Sequence, residues 1–141
     1  MERVIDAPLE KVWDTVAHGF GQVSAYNPAI RSSTLISSER SGIGCTRRCV
    51  PMEGGFLEER ITEWEDQRRF KLTLLASSFP MAVLESEFTF TPVHGGTRIQ
   101  QDFAYRMRAP MGWLSSLMKG RMRKTLERGL DGLVVYLGPT R

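Results

Sequence analysis

The chain has 141 residues, 41% of them hydrophobic and 25% charged, and a formal net charge of +3. These values suit one folded domain over residues 1–141 and exclude disordered and fibrous proteins. No stretch approaches the ~20 apolar residues of a membrane-spanning helix, and the charged opening residues exclude a secretory signal. Cys45 and Cys49 are ~13 Å apart on a predicted strand, too far for a disulfide. We therefore expect a cytoplasmic domain without stable membrane insertion.

The chain opens with a predicted short strand over residues 2–6, followed by a helix. Asp6-Ala7-Pro8 is typical of a helix start, with Asp6 as the N-cap acceptor and a proline in the first turn. The apolar residues that follow recur on one helical face: Leu9, Val12, Trp13 and Val16. A second short helix is predicted over residues 20–25.

Six segments with alternating apolar and polar residues come next, and each predicts a strand: residues 30–39, 45–51, 56–64, 69–76, 82–92 and 97–107. Short turns join them, which favours an antiparallel meander. Pro110 then opens a helix over about 111–137, which Gly138-Pro139 ends. At ~40 Å this helix is long enough to cross the whole sheet. The order β-α-α-β6-α predicts an α+β fold with one face of the sheet packed on the last helix.

Several short motifs occur in order along the chain: Asp6-Ala7-Pro8-x-x-x-Val12-Trp13, Tyr26-Asn27-Pro28-x-Ile30, Gly42-Ile43-Gly44-Cys45-x-Arg47, Leu57-x-Glu59-Arg60-Ile61-x-Glu63 and Gly95-Gly96-Thr97-Arg98. Together with the element order they resemble the START / Bet v 1-like (SRPBCC) superfamily, most closely its polyketide cyclase/dehydrase and lipid-transport branch. The resemblance implies a helix-grip fold, in which a curved antiparallel sheet wraps around the C-terminal helix. It also implies a deep apolar cavity between the two.

Strand alternation and the resemblance together direct a set of side chains into that cavity. Alternation alone identifies the inner face of residues 69–107, whereas the family pattern identifies it for 45–51 and 56–64. The orientation of 56–64 stays open, because Phe56 and Trp64 mark a rival face opposite Glu63. The ligand-binding candidates are Asn27, Ile30, Arg47, Cys49, Leu57, Glu59, Leu72, Leu84, Ser86, Phe88, Gln101, Phe103, Tyr105, Met118, Met122, Thr125, Gly129 and Leu133.

Three of these candidates raise questions of their own. A buried charge costs several kcal/mol unless it is paired. Arg47 and Glu59 are therefore expected to pair with each other or to contact a polar group of a ligand. Gly129, near the centre of the inner helix face, costs the helix ~1 kcal/mol relative to alanine. Either it leaves volume for a ligand, or it allows close packing of Trp13 or another bulky group.

The resemblance implies a protein that binds a small hydrophobic ligand of lipid, polyketide or aromatic type. Two alternatives stay open. One is a polyketide cyclase/dehydrase with Glu59, Arg47 or Tyr105 in proton transfer or carbonyl polarisation. The other is a ligand-free protein-interaction module that uses the basic residues within 119–128.

No metal is expected, since a four-residue spacing on a strand cannot bring Cys45 and Cys49 to one ion and the two histidines are remote in sequence. No other cofactor is expected. Nucleic-acid binding is not expected either, because Glu127 and Asp131 dilute the basic residues within 119–128.

Overall fold

The computed structural model describes residues 1–109 and 115–138. The elements in chain order are β1 (Glu2–Ile5), α1 (Leu9–Trp13), a π-helical turn (Asp14–His18), a 3-10 helix (Phe20–Ala25), β2 (Ile30–Leu35), β3 (Thr46–Pro51), β4 (Leu57–Glu65), β5 (Arg69–Ser77), β6 (Met81–Val93), β7 (Gly96–Met107) and α2 (Ser115–Leu137). The predicted α+β element order is confirmed. The predicted start of the long helix at Pro110 lies outside the described residues. Within the described ranges, no helix has the length and apolar character that a membrane span requires.

All seven strands join one antiparallel sheet in the order β1-β7-β6-β5-β4-β3-β2. Strands β2 to β7 form the predicted meander, because each pairs with the next along the chain. Strand β1 instead pairs with β7, with Glu2 opposite Gln100 and Ile5 opposite Thr97. Strand β2 ends earlier than predicted. Beyond it, the Ser37 hydroxyl accepts a hydrogen bond from the Thr46 amide at 2.8 Å, in place of a ladder bond.

The first helix begins differently from the prediction. Pro8 is the N-cap residue, and no side chain caps the helix. The predicted cap at Asp6 is wrong, because the chain turns tightly there, with the Ala7 amide donating to the Ile5 carbonyl at 2.8 Å. The Pro8 carbonyl then accepts the first helical hydrogen bonds. The helix continues into the π-helical turn, so Val16 stays buried.

The core is centred on Trp13, which has no exposed surface. Its ring lies 4.9 Å from that of Trp64 and 5.0 Å from that of Phe90, both edge to face. The same cluster includes Leu130, Leu133 and Leu137 of α2. The C-terminal part of α2 thus belongs to the core around Trp13, and α2 contacts the sheet at β1 and β7.

The inner face of β4 does not follow either of the two alternating sets of side chains along the whole strand. Ile61 pairs with Leu72 and Glu63 pairs with Lys71, so Thr62 is an extra residue in a β-bulge. Before the bulge the predicted inner face is correct, and Ile61 is fully buried. After it the faces exchange: Glu63 forms a 3.0 Å ion pair with Arg69, and Trp64 packs on Trp13.

Candidate functional site

A cavity of about 460 Å³ lies between α2 and the inner face of the sheet. Strands β3 to β7 supply its floor, α2 its roof, and the 3-10 helix with the following turn one side. Most of the side chains that surround it are aliphatic, aromatic or methionine. A concave, mostly apolar space of this size is typical of small-molecule sites, which range from about 300 to 1,000 Å³.

Most of the residues singled out from the sequence come together around this cavity. Those that line it are Asn27, Ile30, Arg47, Cys49, Leu57, Glu59, Leu72, Leu84, Ser86, Phe88, Gln101, Met118, Met122, Thr125, Gly129 and Leu133. Phe103 and Tyr105 do not. Strand β1 covers β7 only as far as Gln100, so beyond that point β7 is an edge of the sheet. Phe103 and Tyr105 lie there, half-buried, with their rings stacked at 6.3 Å.

The ligand-binding candidates from the sequence did not include the other residues of the lining: Val16, Val23, Tyr26, Ala29, Pro51, Glu53, Phe70, Phe79, Met81, Arg121, Leu126 and Leu130. The inner-face alternation of β5 carries a signal for Phe70. The spacing of apolar residues in α2 carries one for Leu126 and Leu130. Tyr26 and Phe79 lie in turns, where side-chain direction follows no period and the sequence gives no signal.

The polar centre of the cavity is an ion pair between Arg47 and Glu59. They lie directly opposite each other on β3 and β4, and they are 9% and 7% exposed. Arg47 Nε donates to Glu59 Oε1 at 3.0 Å, and Nη1 donates to the Phe20 carbonyl at 3.1 Å. The guanidinium also lies 4.0 Å above the Phe20 ring. Burial is the largest single effect and lowers the pKa of Arg47, but Glu59, Cys49 and Tyr26 together outweigh it, so the pKa of Arg47 is raised.

Two further titratable groups border this ion pair. Cys49 Sγ lies 3.9 Å from Glu59 Oε1, and burial raises the pKa of the thiol to about 11, against the opposing effect of Arg47. Burial likewise raises the pKa of the Tyr26 phenol to about 12. Both groups therefore keep their protons at neutral pH, where they offer neutral hydrogen bonds rather than a thiolate or phenolate nucleophile.

A second, uncharged polar pair lies on β6 and β7. Ser86 is 4% exposed and Gln101 is 5% exposed, and both line the cavity. Gln101 Nε2 lies 3.4 Å from Ser86 Oγ, at the long end of hydrogen-bond distances. The apolar side chain of Leu72, on the intervening strand β5, separates this pair from the ion pair.

Gly129 brings α2 against the turn that follows the 3-10 helix. A Cβ atom on Gly129 would lie 2.7 Å from Asn27 Nδ2. The Asn27 amide is anchored, since its Oδ1 accepts from the Ala29 amide at 3.0 Å. A Cβ on Gly132, one turn further, would lie 2.2 Å from the Tyr26 carbonyl oxygen. Of the two explanations that the sequence left open for Gly129, the structure thus supports close packing, with Asn27 rather than Trp13 as the neighbour.

This contact predicts opposite effects for two glycine-to-alanine substitutions in the same helix. Gly132→Ala is expected to destabilise the protein by about 1–3 kcal/mol, because the Tyr26 backbone must shift to admit the methyl group. A Cβ atom on Gly120 would have no atom of the described residues within 4 Å outside its own stretch of helix. Gly120→Ala is expected to stabilise the protein by about 0.5–1 kcal/mol through helix propensity. Urea unfolding followed by circular dichroism measures both, and equal effects would contradict this account.

The fold as a whole recurs in solved structures. The crystal structure of TTHA0849 from Thermus thermophilus has 23% sequence identity and a TM-score of 0.81, over 97% of this chain and 94% of that one. A START superfamily protein from Mycobacterium smegmatis has 17% identity and a TM-score of 0.78, over 97% and 96%. Ara h 8.0201 has 12% identity and a TM-score of 0.75, over 97% and 94%. These similarities confirm the predicted helix-grip fold.

The family is identified by comparison of the amino-acid sequence with known families. A search among curated proteins finds no match. Residues 1–138, however, match the family described as polyketide cyclase / dehydrase and lipid transport. This match spans every described element and confirms the resemblance that the ordered motifs indicated. The chain belongs to the polyketide cyclase / dehydrase and lipid transport family.

Proposed function

We propose that the chain, as one binding domain over residues 1–141, holds a small apolar molecule in this cavity. In this proposal the Arg47–Glu59 pair contacts a polar group of that molecule. One observation carries the proposal. Within the described residues, Arg47 Nη2 and Glu59 Oε2 have no hydrogen-bond partner, although both side chains are less than a tenth exposed. Neither atom is among the fully enclosed, unpartnered atoms of the described residues, so both are open to the cavity. An apolar molecule that displaced water from them would leave them without partners at a cost of about 1–3 kcal/mol, and a polar ligand group between them avoids that cost.

The rest of the lining supports an apolar body for the ligand. Phe70 and Phe88 stack at 5.0 Å on the floor, and Met118 and Met122 of α2 line the same cavity. Methionine side chains adapt to apolar partners of different shapes, because they are unbranched and polarisable. Such a lining favours a molecule recognised mainly by its size and apolar surface.

Binding is favoured over cyclase or dehydrase chemistry by the state of the candidate proton-transfer groups. Tyr105, a catalytic candidate from the sequence, does not line the cavity. Glu59 Oε1 is already engaged by Arg47 Nε. Tyr26 and Cys49 hold their protons at neutral pH, since burial raises the pKa of each. The polar atoms of the cavity are therefore better placed to orient a ligand than to exchange protons with it.

A cavity-filling substitution tests the proposal with the neutral fluorescent probe N-phenyl-1-naphthylamine. The wild-type protein is expected to bind the probe saturably, at one molecule per chain by native mass spectrometry. Met122→Trp is expected to weaken binding at least tenfold, because the indole occupies the volume that the probe needs. Leu117→Trp is the matched control: Leu117 lies on the same helix and is 69% exposed, so binding should not change.

Two results would contradict the proposal. One is the absence of saturable probe binding, together with a native mass equal to the denatured mass of freshly purified protein. The other is equal weakening by Met122→Trp and Leu117→Trp, which would place the probe outside the cavity. Circular dichroism of all three proteins shows whether a loss of binding reflects a loss of folding.

A further inference from the structure

We infer that the ligand is electrically neutral and has hydrogen-bonding groups at both ends of an apolar body. This inference rests on the proposed function, because it specifies the chemistry of the molecule that would occupy the same cavity. Three features of the lining carry it: a second polar pair, the distance between the two pairs, and the charge balance.

The second polar pair, Ser86 and Gln101, is as deeply buried as the ion pair. Their single mutual contact leaves the Gln101 Oε1 acceptor and the Ser86 hydroxyl proton without a partner among the described residues. Both atoms belong to side chains that line the cavity and are at least 95% buried. A ligand group that both donates and accepts would satisfy this pair, as another would satisfy Arg47 and Glu59 at the other end.

The sheet register sets the distance between the two pairs. Ser86 on β6 pairs with Leu72 on β5, which pairs with Ile61 on β4. Glu59 lies two residues from Ile61 along β4. Two strand spacings across the sheet and two residue steps along it separate the Ser86 and Glu59 Cα atoms by about 12 Å. The floor between them is apolar, with Leu72 at its centre. A ligand that reaches both pairs therefore has an apolar middle.

The charges of the lining cancel. Arg47 and Glu59 neutralise each other, and the other charged residues of the described lining, Glu53 and Arg121, are exposed and of opposite sign. A carboxylate drawn to Arg47 would approach Glu59 as well, and it would be buried without a counter-ion of its own. Such a burial costs several kcal/mol. A hydroxyl group avoids this cost, since it can donate to Glu59 Oε2 and accept from Arg47 Nη2.

Three ten-carbon compounds test the second polar pair and the charge balance separately: 1,10-decanediol, 1-decanol and decanoate. Each displaces N-phenyl-1-naphthylamine from the full chain at pH 7.5. The diol is expected to bind about tenfold more tightly than decanol, because decanol leaves one buried polar pair without a partner. Decanoate is expected to bind at least tenfold more weakly than decanol. In Ser86→Ala/Gln101→Leu the diol should lose its advantage and bind no more tightly than decanol, since its second hydroxyl would have no polar partner there.

The outcomes distinguish this inference from the function on which it rests. If decanol displaces the probe but the diol gains nothing, or decanoate binds most tightly, the inference is overturned and the binding function stands. If the diol keeps its tenfold advantage in the double variant, the second hydroxyl is bound elsewhere and the inference is also overturned. If none of the three displaces a bound probe, and the probe itself does not depend on Met122, both fail.

Discussion

Arg47→Met is expected to lower the free energy of unfolding by about 3–5 kcal/mol, because Glu59 would be left buried without its counter-ion. The substitution also removes the hydrogen bond to the Phe20 carbonyl and the contact with the Phe20 ring. Urea unfolding at pH 7, followed by tryptophan fluorescence and circular dichroism, measures the loss. The direct contribution of the ion pair is smaller than this value, since most of the cost lies in the stranded carboxylate.

Two companion variants identify the origin of the effect. Arg47→Met/Glu59→Leu removes both charges, and its stability is expected to return to within about 1 kcal/mol of wild type, because apolar replacements of buried ion pairs are often neutral. Arg48→Met is the control on the same strand, where the pair with Glu58 is partly exposed and contributes about 1 kcal/mol or less. Equal losses from Arg47→Met and Arg48→Met would show that burial of the Arg47 charge is not decisive.

Trp13→Ala is expected to lower the free energy of unfolding by about 3–5 kcal/mol, because it leaves a cavity in the core. Edge-to-face contacts with Trp64 and Phe90 are lost with the indole. Trp13→Phe should cost markedly less. It keeps an aromatic ring in place, and it removes an indole N–H that has no acceptor among the described residues. Thermal and urea unfolding compare the two, and an equal loss for both variants would refute this account of the core.

Much of the fold could be predicted because its signals are local. Alternation in β6 and β7 and the glycine turn between them determine a hairpin without reference to the rest of the chain. The orientation of β4 could not be derived in this way. The segment from Phe56 to Trp64 alternates evenly, and nothing in it marks Thr62 as an extra residue. The bulge arises from the pairing of β4 with β5, where Trp64 meets Phe70 and the Trp13 cluster.

The residues of the candidate site likewise fall into those that a local pattern predicts and those that it does not. Side chains on regular strands and on α2 could be assigned to the cavity from their period. Tyr26 and Phe79 could not, because their directions depend on turns whose geometry is set by distant neighbours. Phe103 shows the opposite error. Alternation assigns Phe103 to the inner face of the sheet, but the cavity does not extend to this part of β7. The packing partner of Gly129, Asn27, is a tertiary contact across about 100 residues of chain, which no local pattern reveals.

The pairing of β1 with β7 has a consequence for the order in which the protein can assemble during synthesis. Ile5 and Trp13 are made long before the strand that pairs with Ile5, which begins at Gly96. Until the ribosome has released β7, strand β1 has no partner in the sheet, and the core around Ile5 and Trp13 is incomplete. Closure of this long loop is entropically costly and slow compared with hairpin formation. The N-terminal segment is thus the part of the nascent chain most in need of protection from aggregation.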